Sequence, residues 1–300
     1  MVIKIGLIGL GKMGQAIAYR VLQAGHEVFG FDLGQEARAN AKKIGVKTVD
    51  SLEKLCKNVE IFWLMIPSGG PVDKTIELLL PYLKEGNIIV DGGNSNFEYT
   101  VQRAEKLGQK NVYFLDCGTS GGLHGKEIGF SLMIGGDKLA YEKVVPIFTA
   151  IAHKDGFAHL GPSGAGHYVK MVHNGIEYGL LQAYAEGFHL LKEGQYKDLD
   201  LAKIADVWRH GAIIRSWLLD LTYEILAEHK DFANIVGQIQ EGGTGKWMVK
   251  QAEKQKIPVS VIKEAWLTRK RSREGQENFA TRLITLIRNK FGGHAVKKRG

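Results

Sequence analysis

The chain has 300 residues, 44% hydrophobic and 24% charged, which is the make-up of a water-soluble globular protein with room for two domains. Its 40 lysines and arginines against 32 acidic residues leave a formal charge of +8, which favours an anionic partner: a phosphorylated metabolite, a nucleotide or a nucleic acid. Aromatic residues are not interleaved with the basic ones, no zinc-finger or basic-zipper pattern occurs, and apolar runs such as 61–67 are too short for a bilayer, so neither a nucleic-acid module nor a membrane protein is expected.

The chain opens on an apolar run, residues 2–8, broken by Lys4 and Gly6, as suits a strand buried on both faces. Gly9-Leu10-Gly11-Lys12-Met13-Gly14 follows at once, a helix is predicted over 15–24, and a second strand over 27–31 closes on Asp32. A lone G-x-G-x-x-G is weak. Between a strand and a helix, with an acidic residue about 20 positions on, it reads as a dinucleotide cradle. The glycines let backbone approach a pyrophosphate at a helix N-terminus. The Asp32 carboxylate suits a ribose hydroxyl and repels a 2′-phosphate, so NAD is predicted over NADP, with Arg38 as the basic residue able to swing in.

Alternation continues. Strands are predicted over 59–66, 87–90, 112–116, 131–134 and 156–160, with helices over 72–83, 98–107 and 138–152. Three of the strands end in hydroxyl-bearing glycine turns: Pro67 to Gly70, Asp91 to Ser95 and Cys117 to Gly122. The fold class is α/β, a Rossmann-like doubly wound parallel sheet over 1–162, whose ligands gather outside the carboxyl ends of its strands. Cys56 and Cys117 lie far apart and outside any C-x-x-C, and no signal-peptide pattern opens the chain, so a cytoplasmic protein with reduced thiols is expected.

Strand signals stop near Gly161-Pro162-Ser163-Gly164, and 163–300 reads as an all-α helical domain. Its first helix, predicted over 164–191, carries apolar positions at helical spacing together with a polar stripe at Lys170, His173, Asn174, Glu177 and Tyr178. Seven residues at about 100° each return to within roughly 20° of the start, so Lys170 and Glu177 share a face two turns apart, a ready acid/base pair. A solvated ion pair is the plain alternative for such a couple. Gly175 and Gly179 interrupt the helix and call for a close neighbour. Further helices are predicted over 201–208, 217–228, 246–255, 258–273 and 276–289, with Pro258 in a first turn. Glu241 to Trp247 is a glycine-rich entry carrying Lys246. Residues 263–273 hold five basic residues, for which a helix flank in water is the default, and 297–299 reads as a frayed tail.

Together these motifs resemble the decarboxylating 6-phosphogluconate dehydrogenases, in their short form. They are Gly9 to Gly14, Asp91 to Ser95, Ser120-Gly121-Gly122, the run from Lys170 to Tyr178, Gly243 to Trp247 and Arg288 to His294. The resemblance implies Lys170 as general base and Glu177 as general acid. It implies Gly9, Leu10, Gly11, Lys12, Met13, Gly14, Asp32 and Asn94 around NAD. Asn94, Ser120, Gly121, Gly122, His173 and Asn174 would hold the sugar acid, and Tyr178, Lys246, Arg269, Arg288 and His294 the phosphate, with Arg271 and Arg273 as alternatives to Arg269. It further implies a homo-oligomer, dimer or tetramer, whose carboxyl-terminal tail reaches a neighbouring subunit. No metal is needed: there is no H-E-x-x-H and no tight carboxylate cluster. Two rivals remain: a β-hydroxyacid dehydrogenase acting on a small unphosphorylated acid, and a non-catalytic NAD-binding regulator.

Overall fold

The computed structural model describes residues 2–229 and 231–299 and divides into two compact units, 1–171 and 172–300. The first is built on eight strands: β1 (Lys4–Ile8), β2 (Glu27–Phe31), β3 (Lys47–Thr48), β4 (Ile61–Leu64), β5 (Ile88–Asp91), β6 (Tyr113–Ser120), β7 (Phe130–Gly136) and β8 (Ala152–Gly161). Their order across the sheet is β3-β2-β1-β4-β5-β6-β7-β8. Helices α1 (Lys12–Gln23), α2 (Gln35–Lys43), α3 (Leu52–Cys56), α4 (Gly70–Leu79), α5 (Phe97–Gly108), α6 (Gly125–Ile128) and α7 (Lys138–Ile151) connect them. Alternate residues of the strands feed two cores. Ile5, Leu7, Val28 and Val90 pack with Ile17 and Val21 of α1, whereas Ile8, Phe62, Leu64 and Ile89 pack with Val72, Ile76 and Leu107.

The sheet departs from the expected all-parallel order at one place. β6 and β7 pair antiparallel, and β7 and β8 then run parallel to each other. Only residues 121–129 join β6 to β7, which is too short for a parallel crossover, so the chain turns back on itself.

The second unit is helical: α8 (Ala165–Glu193), α9 (Leu201–Arg209), α10 (Trp217–Glu228), α11 (Thr244–Gln255), α12 (Ser260–Arg273) and α13 (Phe279–Gly292), with α8 beginning in the first unit. Its core joins Leu181, Ala185 and Phe188 of α8 to Leu219 and Ile225 of α10 and to Leu283, Ile284 and Ile287 of α13. Gly175 is explained by this packing. A Cβ there would fall 1.8 Å from Met248 Sδ and 3.2 Å from Ile262 Cγ2, so protein side chains fill the space. At Gly179 a Cβ would make only ordinary contacts with Val261 and Ile262.

The expected boundary at 162/163 lies nine residues before the division of the two units at 171/172, because the first turns of α8 are locked onto β6 and β7. Asp116, fully buried, accepts from the Gly164 and His167 backbone N–H groups at 2.8 Å each, satisfying donors at the head of α8. Pro258 is not in a first turn; it stands two residues before Ser260, where α12 begins. The tail is not frayed. Val236 N–H donates to the Lys297 carbonyl, Arg299 N–H to the Asn234 carbonyl, and the Arg299 guanidinium pairs with Glu277 at 2.8 Å.

Candidate active site

The fingerprint loop folds as its glycines dictate. Gly9 has φ +96°, and a Cβ there would meet the Met65 carbonyl oxygen at 2.3 Å; a Cβ on Gly14 would meet the Gly9 carbonyl oxygen at 2.0 Å. Gly11 differs. A Cβ there meets nothing within 4 Å, and no side chain caps α1, so no side chain competes for the N–H groups of its first turn. Asp32 stands at the end of β2. Its carboxylate accepts from Leu10 N–H and from Gly34 N–H, each at 2.7 Å, which draws the acidic group onto the fingerprint loop. A carboxylate has about four acceptor positions, so two remain for ribose hydroxyls. Arg38, the basic residue able to meet a 2′-phosphate, donates instead to the Asp32 and Leu33 carbonyls. These features fit NAD and disfavour NADP.

At the carboxyl ends of the next strands, Asp91 organises its own loop, accepting from Gly93 N–H at 3.1 Å and from Ser95 Oγ at 2.6 Å. Asn94 is thereby held exposed at the tip. Ser120 ends β6, and Gly121 and Gly122 carry it into a single turn of 3-10 helix with φ +127° and +55°. Lys170 is 6% exposed. Its side chain starts against the backbone of β6: a Cβ on Gly118 would lie 2.4 Å from Lys170 Cβ and 3.0 Å from the Gly166 carbonyl oxygen. Gly135 and Gly166 are similarly tight, so Asp116 and three glycines fix where the lysine emerges.

Within the second unit, α8 presents His173 and Asn174, joined by a 3.3 Å hydrogen bond, then half-buried Glu177 and buried Tyr178. Arg269 of α12 lies 3.2 Å over the Tyr178 ring centroid and is 1% exposed, and neither of its terminal nitrogens has a hydrogen-bond partner. Burial lowers its pKa to about 10, which leaves it protonated at neutral pH. Arg288, also buried, and Glu241 are close enough to act electrostatically on both Arg269 and Tyr178. Burial raises the Tyr178 hydroxyl and lowers Arg288. His294 sits at the rim with one side in solvent; partial burial, then Arg288 and Arg269, lower its pKa to about 4. Gly245 lets α11 approach, since a Cβ there would fall 2.4 Å from Tyr178 Cε2. The cluster sets two buried guanidiniums, one with unmet terminal donors, beside the Glu241 carboxylate, whose Oε2 is also unmet; the unmet donors suit an oxyanion.

The model of the NAD binding domain of 6-phosphogluconate dehydrogenase matches residues 4–161, and that of the 6-phosphogluconate dehydrogenase C-terminal domain matches 166–298. The chain belongs to the 6-phosphogluconate dehydrogenase family. The Haloferax volcanii NAD(+)-dependent decarboxylating 6-phosphogluconate dehydrogenase is 47% identical over 99% of both chains. Among solved structures, the Plasmodium falciparum 6-phosphogluconate dehydrogenase superposes with a TM-score of 0.81 at 31% identity, covering 92% of this chain and 65% of that one. The chain thus spans about two thirds of that longer member. A Mycobacterium tuberculosis 3-hydroxyisobutyrate dehydrogenase shares the fold, with a TM-score of 0.77 at 19% identity and coverage of 97% and 99%.

Of the three candidate arginines on α12, Arg269 is the one fully buried. Arg271 pairs with Glu264 at the surface, and Arg273 donates to the Ile239 carbonyl at 2.8 Å and lies 3.5 Å from Glu241. The basic run is therefore not wholly a solvated flank. Lys246 is exposed on the first turn of α11. Arg288 and His294 are close enough to Arg269 of their own chain to act on it or feel it electrostatically. Sequence reasoning passed over two residues. Asp116 anchors the head of α8, and Glu241 is the carboxylate inside the cationic pocket, accepting from Trp266 Nε1 at 3.3 Å. An acidic residue ending a strand was the available signal for the first. Among the described residues, no group of three or more His, Cys, Asp or Glu is arranged to hold a metal, and no helix is long and apolar enough to cross a membrane.

Proposed function

We propose that this chain catalyses the oxidative decarboxylation of 6-phosphogluconate to ribulose 5-phosphate and carbon dioxide with NAD, as a cytoplasmic homo-oligomer. The observation that carries the reading is the buried, unpartnered Arg269 guanidinium flanked by Tyr178, Arg288 and His294. A phosphate ester satisfies both terminal nitrogens in the bidentate geometry guanidinium favours. A small unphosphorylated acid has nothing to place there, which counts against the other β-hydroxyacid dehydrogenases.

When bound, NAD supplies the hydride acceptor. Lys170, neutral at the start, takes the proton of the third-carbon hydroxyl as that carbon is oxidised. The resulting β-keto acid loses carbon dioxide. Lys170, now protonated, donates a hydrogen bond to the carbonyl oxygen and stabilises the negative charge that develops on it. Glu177 delivers a proton to the first carbon, and the product ketose results. Asn94, Ser120, Gly121, Gly122, His173 and Asn174 hold the sugar-acid chain. The phosphate is gripped away from the reacting carbons, so its binding energy serves positioning. The test is NADH formation with stoichiometric carbon dioxide release from 6-phosphogluconate. Lys170→Met should abolish turnover while NAD still binds; turnover by that variant near the wild-type rate removes Lys170 from the mechanism.

A further inference from the structure

We propose that His167 is a positioning residue for the reaction: its imidazole joins the loop that carries Asn94 to the turn of α8 that carries Lys170. The proposal rests on the reading of Lys170 as the base and of Asn94 as a substrate-holding group, and concerns what keeps the two in register.

His167 lies in the first unit, one turn before Lys170 and about 4.5 Å from it along the helix axis. It is 2% exposed and is engaged at every polar atom. Its backbone N–H is on the Asp116 carboxylate of β6. Its ring reaches the end of β5 and the side of α5: Nε2 lies 3.2 Å from the Asp91 carbonyl oxygen, and Nδ1 lies 2.8 Å from Thr100 Oγ1. A carbonyl only accepts, so Nε2 carries the proton and donates it, and Nδ1 accepts from the Thr100 hydroxyl. Both ring nitrogens are thus spent inside the protein, and the imidazole acts on the reaction through what it holds.

What it holds is the start of the Asn94 loop. The Asp91 carboxylate organises that loop from within, through Gly93 N–H and Ser95 Oγ, with the buried Arg103 guanidinium 3.7 Å away. The next carbonyl, that of Gly92, accepts from Thr119 Oγ1 at 3.1 Å, and Thr119 is the residue before Ser120. The loop also packs so closely on Trp63 that a Cβ on Gly92 would lie 2.3 Å from the indole nitrogen. Two successive peptide groups are therefore tied to the two elements that carry other substrate groups, Gly92 to the end of β6 and Asp91 to the head of α8. His167 makes the second tie, and so sets the span between the Asn94 loop and Lys170.

The test is steady-state kinetics on His167→Leu and His167→Gln. Leucine fills much of the space of the ring and has neither nitrogen; glutamine returns an amide N–H near the place of Nε2. His167→Leu should lower kcat by at least about tenfold, the kind of loss that follows from a shift on the order of 1 Å between base and substrate, while NADH binding followed by fluorescence stays as in the wild type. His167→Gln should recover most of that loss. A folded His167→Leu that turns over at the wild-type rate, with only its melting point lowered, overturns the proposal, because the histidine then serves packing alone. A glutamine variant no faster than the leucine one overturns it too. Should His167→Leu fail to fold, Thr100→Val takes its place by removing the hydroxyl that fixes the ring; a smaller fall in kcat is expected, and an unchanged kcat overturns the proposal. If the wild type is inactive on 6-phosphogluconate, the function reading fails, and crystal structures of the wild type and of whichever variant folds decide instead: residues 91–95 displaced relative to Lys170 support the tie, and an unmoved loop overturns it.

Discussion

Arg269→Met separates what the second unit needs for stability from what it needs for function. Two terminal guanidinium nitrogens lie buried without partners. Each unmet buried donor costs roughly 1–3 kcal/mol, so the pair costs roughly 2–6 kcal/mol in the ligand-free protein. Stacking of the desolvated cation on Tyr178 returns about 2 kcal/mol. Methionine keeps most of the aliphatic stem and removes both terms, for a net stabilisation of roughly 0–4 kcal/mol, centred near 2. At about 2–4 °C per kcal/mol, melting in phosphate-free buffer rises by about 4–8 °C. Phosphate at about 100 times its dissociation constant adds about 2.7 kcal/mol to the wild type and nothing to the variant, so at the central value of about 2 kcal/mol the order of the two melting points reverses. Scanning fluorimetry across a phosphate titration reads both effects. A variant that melts below the wild type without phosphate, or that is still stabilised by it, refutes the reasoning.

Gly118→Ala should lower kcat by about 100-fold with NAD binding intact, because its Cβ would press on Lys170 Cβ and on the Gly166 backbone and move the lysine by an amount on the order of 1 Å; steady-state kinetics showing an unchanged kcat removes Gly118 from the positioning of the base. Asp32→Ser combined with Gly34→Arg should shift the NAD to NADP ratio of kcat/KM by at least about tenfold toward NADP, about 1.4 kcal/mol; an unmoved ratio shows that the Asp32 carboxylate does not select. His294 is held neutral in the folded chain, with a pKa lowered to about 4 from 6.5. The folded state therefore binds fewer protons than the unfolded one between those values, and stability present above pH 6.5 is lost as pH falls toward 4. His294→Asn should flatten that decline in a melting series from pH 7 to pH 4, and parallel curves for the two proteins would contradict the assignment.

The fold was legible wherever local pattern decides structure. Continuous apolar runs of a strand buried on both faces, followed by glycine turns, located β1, β2, β4 and β5, and 3.6-residue spacing located α8, α9 and α10. The short α3 and two-residue β3 carry too little periodicity to register. The reversal at β7 depends on the length of a connection and not on the strand's composition. Within the pocket, residues on one helix were readable together, since Lys170 to Tyr178 are neighbours by spacing. The burial of Arg269 among five basic residues, its stacking on Tyr178, and the approach of Glu241 are tertiary facts with no local signature. Asp116 escaped notice for the same reason, because its partners Gly164 and His167 lie 48 and 51 residues away.

Asp32 does two jobs with one carboxylate. While it repels a 2′-phosphate it also occupies the amides of Leu10 and Gly34, which are the donors such a phosphate would want. Removing the acid thus exchanges a resident anion for a place where a visiting one can settle, with Arg38 near at hand. Asp32 would then bear on cofactor preference twice, through its charge and through the amides it holds.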